Sequence, residues 1–398
     1  MLITILAGVG CVRNLSGDIL SRCRTAHHLG APRSGGLIPF EENMSEQDAI
    51  DAGAVLTRTD LTALTTWMDT RGLGSGPLVS VEPVTGGTQN VMVRFEREGR
   101  GYILRRGPRH LRPRSNDVIR REFTILDALA KTDVPHAGLI AACGDESVLG
   151  GAVFYLMEPV AGFNAGVELP DLHASDAAVR REMCFSLIDA QARLGAVDHI
   201  AVGLGDLGRP DGFLERQVPR WLAELDSYSA FAEYPGPDIG SVAEVARWLD
   251  ERRPTSYSPG ILHGDFHASN VMFSRTGPDV VAVVDWEMCT IGDPLLDLGW
   301  LLATWQLPGA PNEFAGELTR MGGLPTAREL VARYAEQSDR DVAAIDWYTV
   351  LACFKLGIVL EGSYARALAG KAPTSLGERL HMTTLRLFER AQSLMSGE

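Results

Sequence analysis

The chain has 398 residues, 37 basic and 51 acidic side chains, a formal net charge of −14 and a mean hydropathy of zero. Such a length supports two or three cores of ordinary size, and the composition excludes long disorder, collagen and coiled coil. Surplus acid argues against a nucleic-acid partner, because phosphate backbones are gripped by excess Lys and Arg, and no apolar run approaches the roughly eighteen residues of a membrane span.

In chain order, residues 1–12 are apolar with no basic residue before them, and 13–43 show no periodicity, so 1–43 read as a flexible leader. Leu61, Leu64, Trp67 and Met68 then recur at helical spacing until Gly72, Gly74 and Gly76 stop the pattern. Strand patterns at 78–84 and 91–95 flank Thr85-Gly86-Gly87-Thr88-Gln89-Asn90 and predict a hairpin. A third strand at 102–104, an amphipathic helix at 118–129 and a strand at 153–157 follow. Beyond Gly162 the periodicity is helical, at 176–195, 213–227, 241–252, 326–337 and 342–369. One β island, 271–273 with 280–284, interrupts it. The fold class is therefore α+β, with a small mixed lobe over 44–160 joined near 158–162 to a larger, mainly helical lobe over 161–398. The six cysteines are dispersed and form no C-x-x-C pair, which argues against a disulfide framework or zinc finger and suits a reducing, cytoplasmic location.

The densest chemistry lies in His263-Gly264-Asp265-Phe266-His267-Ala268-Ser269-Asn270, followed by Asp285-Trp286-Glu287. If the island is a hairpin turning at Gly277-Pro278, positions whose numbers sum to about 555 pair, which sets Asn270 opposite Asp285. An amide oxygen beside a carboxylate, with room for water and phosphate, suits Mg²⁺. Asp265, on the loop entering the same end, is placed to accept a proton from an attacking hydroxyl. A metal hydrolase using His263, Asp265 and His267 as alternating ligands stays open as a second chemistry. Gly203-Leu204-Gly205-Asp206-Leu207-Gly208 matches a dinucleotide pattern, yet Pro210 stands where its helix should begin. Asp293 before Pro294 reads as a helix cap, Asp297 as a brace of the catalytic loop, and His263 as a side chain that orients the loop backbone. Glu287 reads either as a second metal ligand or as a solvated neighbour. The ten arginines between Arg94 and Arg121 have acids interleaved and read as a partly solvated face.

H-G-D-x-x-x-x-N followed by D-W-E resembles the catalytic loop and metal motif of the aminoglycoside phosphotransferase and choline kinase-like family, small-molecule relatives of the protein kinases. The resemblance runs through about residues 78–370. It implies a bilobal kinase-like fold and ATP- and Mg²⁺-dependent transfer to a hydroxyl of a small molecule, with GTP open beside ATP. On it, Gly86, Gly87 and Thr88 belong to the loop over the nucleotide phosphates, Glu122 is the phosphate-positioning glutamate, and Glu158 and Val160 lie on the hinge to adenine. Asp265 is the implied base, and Asn270 with Asp285 the implied metal ligands. Residues 102–108 and Glu361-Gly362-Ser363-Tyr364-Ala365-Arg366 look most like the phosphotransferase domain fused to acyl-CoA dehydrogenases and its bacterial stand-alone relatives. A hydroxyacyl acceptor therefore stands beside an aminoglycoside-like one.

One departure from the pattern is plain. The kinase fold carries a lysine on its third strand, and the three lysines here are Lys131, Lys355 and Lys371. Arg105 takes that place, with Arg106 as the rival directed to the other face of the strand. The missing lysine keeps a nucleotide-binding pseudokinase in play as a third reading.

Overall fold

Residues 56–84, 90–305 and 316–397 are described in the computed structural model of the protein. The expected leader, and Gly86, Gly87 and Thr88, lie outside the described residues. Helix α1 (Arg58–Thr70) starts on a reciprocal cap, in which the Thr57 hydroxyl accepts from Asp60 N at 3.1 Å and the Asp60 carboxylate accepts from Thr57 N at 3.0 Å. Its apolar stripe of Leu64, Trp67 and Met68 covers one face of a five-stranded antiparallel sheet. The strands are β1 (Val79–Pro83), β2 (Val91–Arg97), β3 (Arg100–Arg106), β4 (Leu139–Cys143) and β5 (Phe154–Met157), in spatial order β1-β2-β3-β5-β4.

Alternation along β3 sends Tyr102 and Leu104 towards the α1 face and Arg105 to the opposite face. That second face is covered by α2 (Ser115–Leu129), which buries Ile119, Glu122, Ile125, Leu126 and Leu129. A glutamate inside this otherwise apolar stripe needs a partner, and the β3 arginine is within reach of it.

The larger lobe contains α3 (Asp171–Ser175), α4 (Ala177–Ala196), α5 (Gln217–Ser227) and α6 (Val242–Glu251), then two short strand pairs. In these pairs β6 (Gly260–Leu262) runs against β9 (Thr290–Gly292), and β7 (Val271–Phe273) against β8 (Val280–Val283). Helices α7 (Leu295–Thr304), α8 (Gly316–Arg320), α9 (Ala327–Gln337), α10 (Ile345–Leu368) and α11 (Thr374–Ser396) complete it. Helix α10 is buried on nearly every side and forms the axis against which α5, α7 and α11 pack. Gly299 permits the α7 contact, since a Cβ there would lie 2.6 Å from the Tyr348 backbone.

The strand β4, the β6–β9 pair and the helices α3, α8 and α11 go beyond the sequence reading, and of α7 only the Asp293-Pro294 cap was read. All ten residues of α7 are buried, so it has no polar face to reveal a helical period. On α11 the inward positions include Gly377, Thr383 and Thr384, which dilute its apolar stripe. The lobes meet where Val283 N donates to Pro135 O at 2.8 Å and the Arg121 guanidinium to Cys289 O at 2.9 Å. Among the described residues no helix is long and apolar enough to cross a membrane.

Candidate active site

The site is built on the backbone between β6 and β7. Gly264 sits at φ +85°, and a Cβ there would lie 2.5 Å from Met288 O, so only glycine makes this turn without displacing the 286–288 segment. Asp297, in the first turn of α7, accepts from His263 N at 2.6 Å and from Gly264 N at 2.9 Å, which is the brace its position predicted. Asp293 accepts from Leu295 N at 3.1 Å and from the Tyr348 hydroxyl, a capping role as expected.

The next residue, Asp265, is held from three sides. Trp300 Nε1 donates to its Oδ1 at 3.1 Å, the Asn270 amide nitrogen donates to its Oδ2 at 3.2 Å and to its carbonyl at 2.9 Å, and His267 Nε2 lies 3.5 Å from Oδ1. Burial alone would raise this carboxyl, but His267, His263 and Lys355 outweigh burial and bring it down to about 2. It is thus an ionised, oriented carboxylate at neutral pH.

His263, Asp265 and His267 do not converge as a three-ligand group. His263 Nε2 donates to Val284 O at 2.9 Å, tying the loop to the residue after β8, and His267 Nδ1 accepts from Ser269 N at 3.2 Å within the loop, its Nε2 facing Asp265. Among the described residues the group of side chains able to converge on a cation is Glu122, Asp285 and Glu287, whose ligand atoms lie within 4.8 Å of one another. The hydrolase reading loses its ligands on this geometry.

The predicted pairing of Asn270 with Asp285 is one residue out. Val271 faces Val283, and a bulge between Met272 and Phe273 sets Phe273 opposite Val280. Asn270 therefore faces Val284, whose N–H donates to the Asn270 carbonyl at 2.9 Å, and Asp285 follows with φ +68°. The loop closes by Ser274 N donating to Asp279 O at 2.8 Å, ahead of the expected turn centre. Left-handed backbone costs about 1–2 kcal/mol for a residue with a side chain, a strain typical of functional positions. The Asn270 nitrogen is spent on Asp265, which leaves its amide oxygen as the group it can offer.

Across the cleft, Arg105 grips Glu122 with a planar fork, Nε to Oε2 at 2.7 Å and Nη2 to Oε1 at 2.8 Å, and Nη2 also reaches Asp285 Oδ1 at 3.1 Å. Burial opposes the Arg105 charge, but Glu122, Tyr155 and Asp285 raise its pKa above the ordinary value. Tyr155, opposite Arg105 on β5, donates its hydroxyl to Glu122 Oε2 at 3.0 Å. Arg106 points to the α1 side, where its Nε is buried without a partner. Burial, then Asp285, pushes Glu287 up to about 7 against the pull of Arg105.

At the junction of the lobes, Glu158 N donates to Gly138 O at 2.8 Å and the Glu158 carboxylate lies outward against Arg100 at 3.3 Å. Among the described residues no main-chain hydrogen bond takes the Glu158 carbonyl or the Val160 amide.

A family model described as the phosphotransferase enzyme family matches residues 80–332, a stretch that contains Arg105, Glu122, Asp265, Asn270, Asp285 and Asp297. The chain belongs to that family. Acyl-CoA dehydrogenase family member 10 of Mus musculus is 28% identical over 308 residues, covering 75% of this chain and 28% of that protein. Acyl-CoA dehydrogenase family member 11 of Gallus gallus is 29% identical over 303 residues, covering 74% of this chain and 38% of its own length. The chain thus spans well under half of either relative. A Ralstonia eutropha protein provisionally described as an aminoglycoside phosphotransferase has a crystal structure that superposes with a TM-score of 0.70 at 30% identity, covering 83% of this chain and 98% of that one. A ternary complex of an aminoglycoside phosphotransferase with ADP and hygromycin B shares the fold, with a TM-score of 0.52 at 15% identity and coverage of 82% and 97%. The kinase-like fold expected from the catalytic-loop motif is borne out, as is the likeness to the dehydrogenase-fused phosphotransferases.

Three residues of this family member's site were not singled out by its motifs. Tyr155 caps the Glu122 carboxylate. Trp300 lies one turn after Asp297 on α7, so the same helix face that braces the loop also orients Asp265. Lys355, 7% exposed in the middle of α10, donates to Gly264 O at 3.3 Å and sits 4.3 Å from the Trp300 ring centroid. A lone lysine in the apolar run Cys353-Phe354-Lys355-Leu356 is the sequence signal that would have marked it.

Proposed function

We propose that the chain is an ATP- and Mg²⁺-dependent phosphotransferase that phosphorylates a hydroxyl of a small molecule, either aminoglycoside-like or hydroxyacyl. The observation that carries this reading is the Arg105–Glu122 pair reaching Asp285 across the cleft, because it joins a cation fit for phosphates to the carboxylate of the D-W-E motif. Asp265 is the base. Its carboxylate accepts the acceptor's proton as the hydroxyl oxygen attacks the γ-phosphorus and the bond to the ADP oxygen breaks. Trp300 and Asn270 keep that carboxylate aimed, and Asp297 fixes the backbone beneath it. Arg105 neutralises phosphate charge, with Glu122 and Tyr155 holding the fork in place.

The donor set fits a hard divalent cation: three carboxylates converge on one arginine, and all the atoms offered are oxygens. Asp285 and the Asn270 amide oxygen would hold Mg²⁺, which when bound supplies charge neutralisation for the nucleotide phosphates. The free Glu158 carbonyl and Val160 amide form a donor and acceptor pair suited to an adenine edge, and Gly86, Gly87 and Thr88 are assigned to the phosphate loop. The nucleotide complexes of the aminoglycoside phosphotransferases support nucleotide use, and the names of the dehydrogenase relatives favour the hydroxyacyl acceptor.

The test is titration of ATP and GTP with and without Mg²⁺, followed by ADP or GDP release with aminoglycosides, amino alcohols, sugars and hydroxyacyl thioesters. Acceptor-dependent release supports the reading. Tight Mg²⁺-nucleotide binding with no release by any acceptor would make the chain a pseudokinase instead.

A further inference from the structure

Arg121 stands next to Glu122 on α2, so a turn of about 100° around the helix takes it off the β3 face and towards the helical lobe. Its planar fork donates Nη1 to Leu207 O at 3.2 Å and Nη2 to Cys289 O at 2.9 Å. Among the described residues no loop or cap N–H takes either carbonyl. The polar neighbours on α2 bond inside the small lobe, Asn116 to Gly151 O, Arg120 to Glu146 and Glu122 to Arg105. Among the described residues Arg121 is thus the α2 side chain hydrogen-bonded to the larger lobe.

Glycines fix both carbonyls. Gly208 packs so closely on β9 that a Cβ would lie 2.5 Å from Thr290 Oγ1 and 2.7 Å from Ile291 N. Gly203 turns the same loop at φ +85°, a left-handed conformation that glycine takes without strain, and Gly203 N and Leu204 N close it on Ile200 O at 3.0 Å and His199 O at 2.7 Å. The run from Gly203 to Gly208 thereby carries Leu207 to the flank of β9, beside Cys289. Cys289 in turn ends the segment that begins at Asp285, and Gly264 of the catalytic loop lies against the Met288 carbonyl of that segment. One guanidinium therefore ties α2 to a block that includes Asp285, Glu287 and the turn into Asp265.

We propose that Arg121 is a positioning residue for the phosphate-binding pair. Seated on Leu207 and Cys289, it fixes α2 against the 285–289 segment and so sets the reach of Arg105 and Glu122 to Asp285. The loop from Gly203 to Gly208 is its receptor and not a nucleotide site. This rests on the phosphotransferase reading and deepens it. Arg121 is exposed, so its bonds compete with water and add little to folding, whereas even a small displacement of α2 lengthens the 3.1 Å contact from Arg105 to Asp285.

The test is calorimetric titration of ATP with Mg²⁺ into the full chain, wild type and variants, beside thermal melts. Arg121→Met should weaken ATP binding about five- to fifty-fold, the worth of two hydrogen bonds, while melting within about 3 °C of wild type. Arg121→Lys should recover part of the affinity, since an ammonium still reaches one carbonyl. Arg120→Met, which removes an exposed α2 arginine bonded inside the small lobe, should bind ATP as wild type does. Adding Arg121→Met to Glu122→Gln should cost little further affinity, because the pair it positions is already broken, whereas a merely structural loss would be the same in both backgrounds. Wild-type affinity in Arg121→Met, an equal loss in both backgrounds, or a like loss in Arg120→Met overturns the proposal. A wild type that binds no ATP removes the phosphotransferase reading itself, and this proposal with it.

Discussion

Replacing Arg105 by methionine removes the one guanidinium among three converging carboxylates. Its Glu122 partner has a side chain 1% exposed, so the lost fork is not replaced by water. Removing one member of such a buried pair costs about 3–5 kcal/mol, because the other charge is left without compensation. With an unfolding entropy of about 2.1 cal/mol/K per residue, a chain of this size shifts by roughly 1–1.5 °C per kcal/mol, so the melting temperature should fall by about 3–8 °C. Part of the loss should return when Glu122→Gln is added, since a neutral amide in that pocket needs no cation, and the double variant should be less damaged than the two single losses summed. Mg²⁺ should raise the melting temperature of Arg105→Met more than that of wild type, by partly neutralising Asp285 and Glu287. Circular dichroism melts of the four proteins, with and without Mg²⁺, read all of this. A single variant that melts within about a degree of wild type, or a strictly additive double, would refute the role given to the pair.

Asp285→Ala should weaken Mg²⁺-dependent ATP binding more than Asn270→Ala does, because a carboxylate neutralises the cation and an amide only lends it a lone pair; equal, metal-independent affinities in the two variants would contradict this. Asp297→Ala leaves the His263 and Gly264 amides without an acceptor, each such bond being worth about 1.5–3 kcal/mol, so turnover should drop while ATP affinity is held; steady-state rates alongside nucleotide titration measure the split. Burial pushes the Lys355 ammonium down to about 8, against the pull of Asp265 and Asp297. Unfolded lysine keeps its proton to about 10.5, so between those values the unfolded state binds more protons and wild-type stability rises with pH. Lys355→Met should therefore be the more stable protein at pH 7, by an amount on the order of 2–3 kcal/mol, and its advantage should shrink towards pH 10; denaturant melts across that range check the sign.

What was legible in the sequence follows the range of the interaction. Asp265 and Asn270 lie five residues apart on one loop, and their local pattern was enough to place them together. Arg105 and Glu122 were reached through the resemblance to the kinase pattern, since a glutamate on an amphipathic helix reads by itself as a solvated charge; what the sequence could not show is that Glu122 falls in the buried stripe of α2, facing β3. The register of β7 and β8 came out one residue wrong because the hairpin closes through Ser274 and Asp279, ahead of Gly277-Pro278, and the bulge at Met272–Phe273 offsets only part of that displacement. Three-residue strands such as β6 and β9 pair across a separation of about thirty residues, where neither length nor alternation gives a signal. Trp300 escaped because every neighbour on α7 is buried, and Lys355 because a contact from α10 to residue 264 depends on how helices pack, not on any spacing along the chain.

The central claim is that Asp265 is the base of a phosphoryl transfer. The most direct measurement gives wild type and Asp265→Asn the same Mg²⁺ and γ-labelled ATP, with a mixture of hydroxy acids, hydroxyacyl thioesters and aminoglycosides, and resolves the products by mass spectrometry. The account predicts label on the hydroxyl of an acceptor with wild type, and none with Asp265→Asn, which should still bind ATP. Label transferred by Asp265→Asn at the wild-type rate, or label released by wild type only as inorganic phosphate whatever acceptor is present, would contradict it.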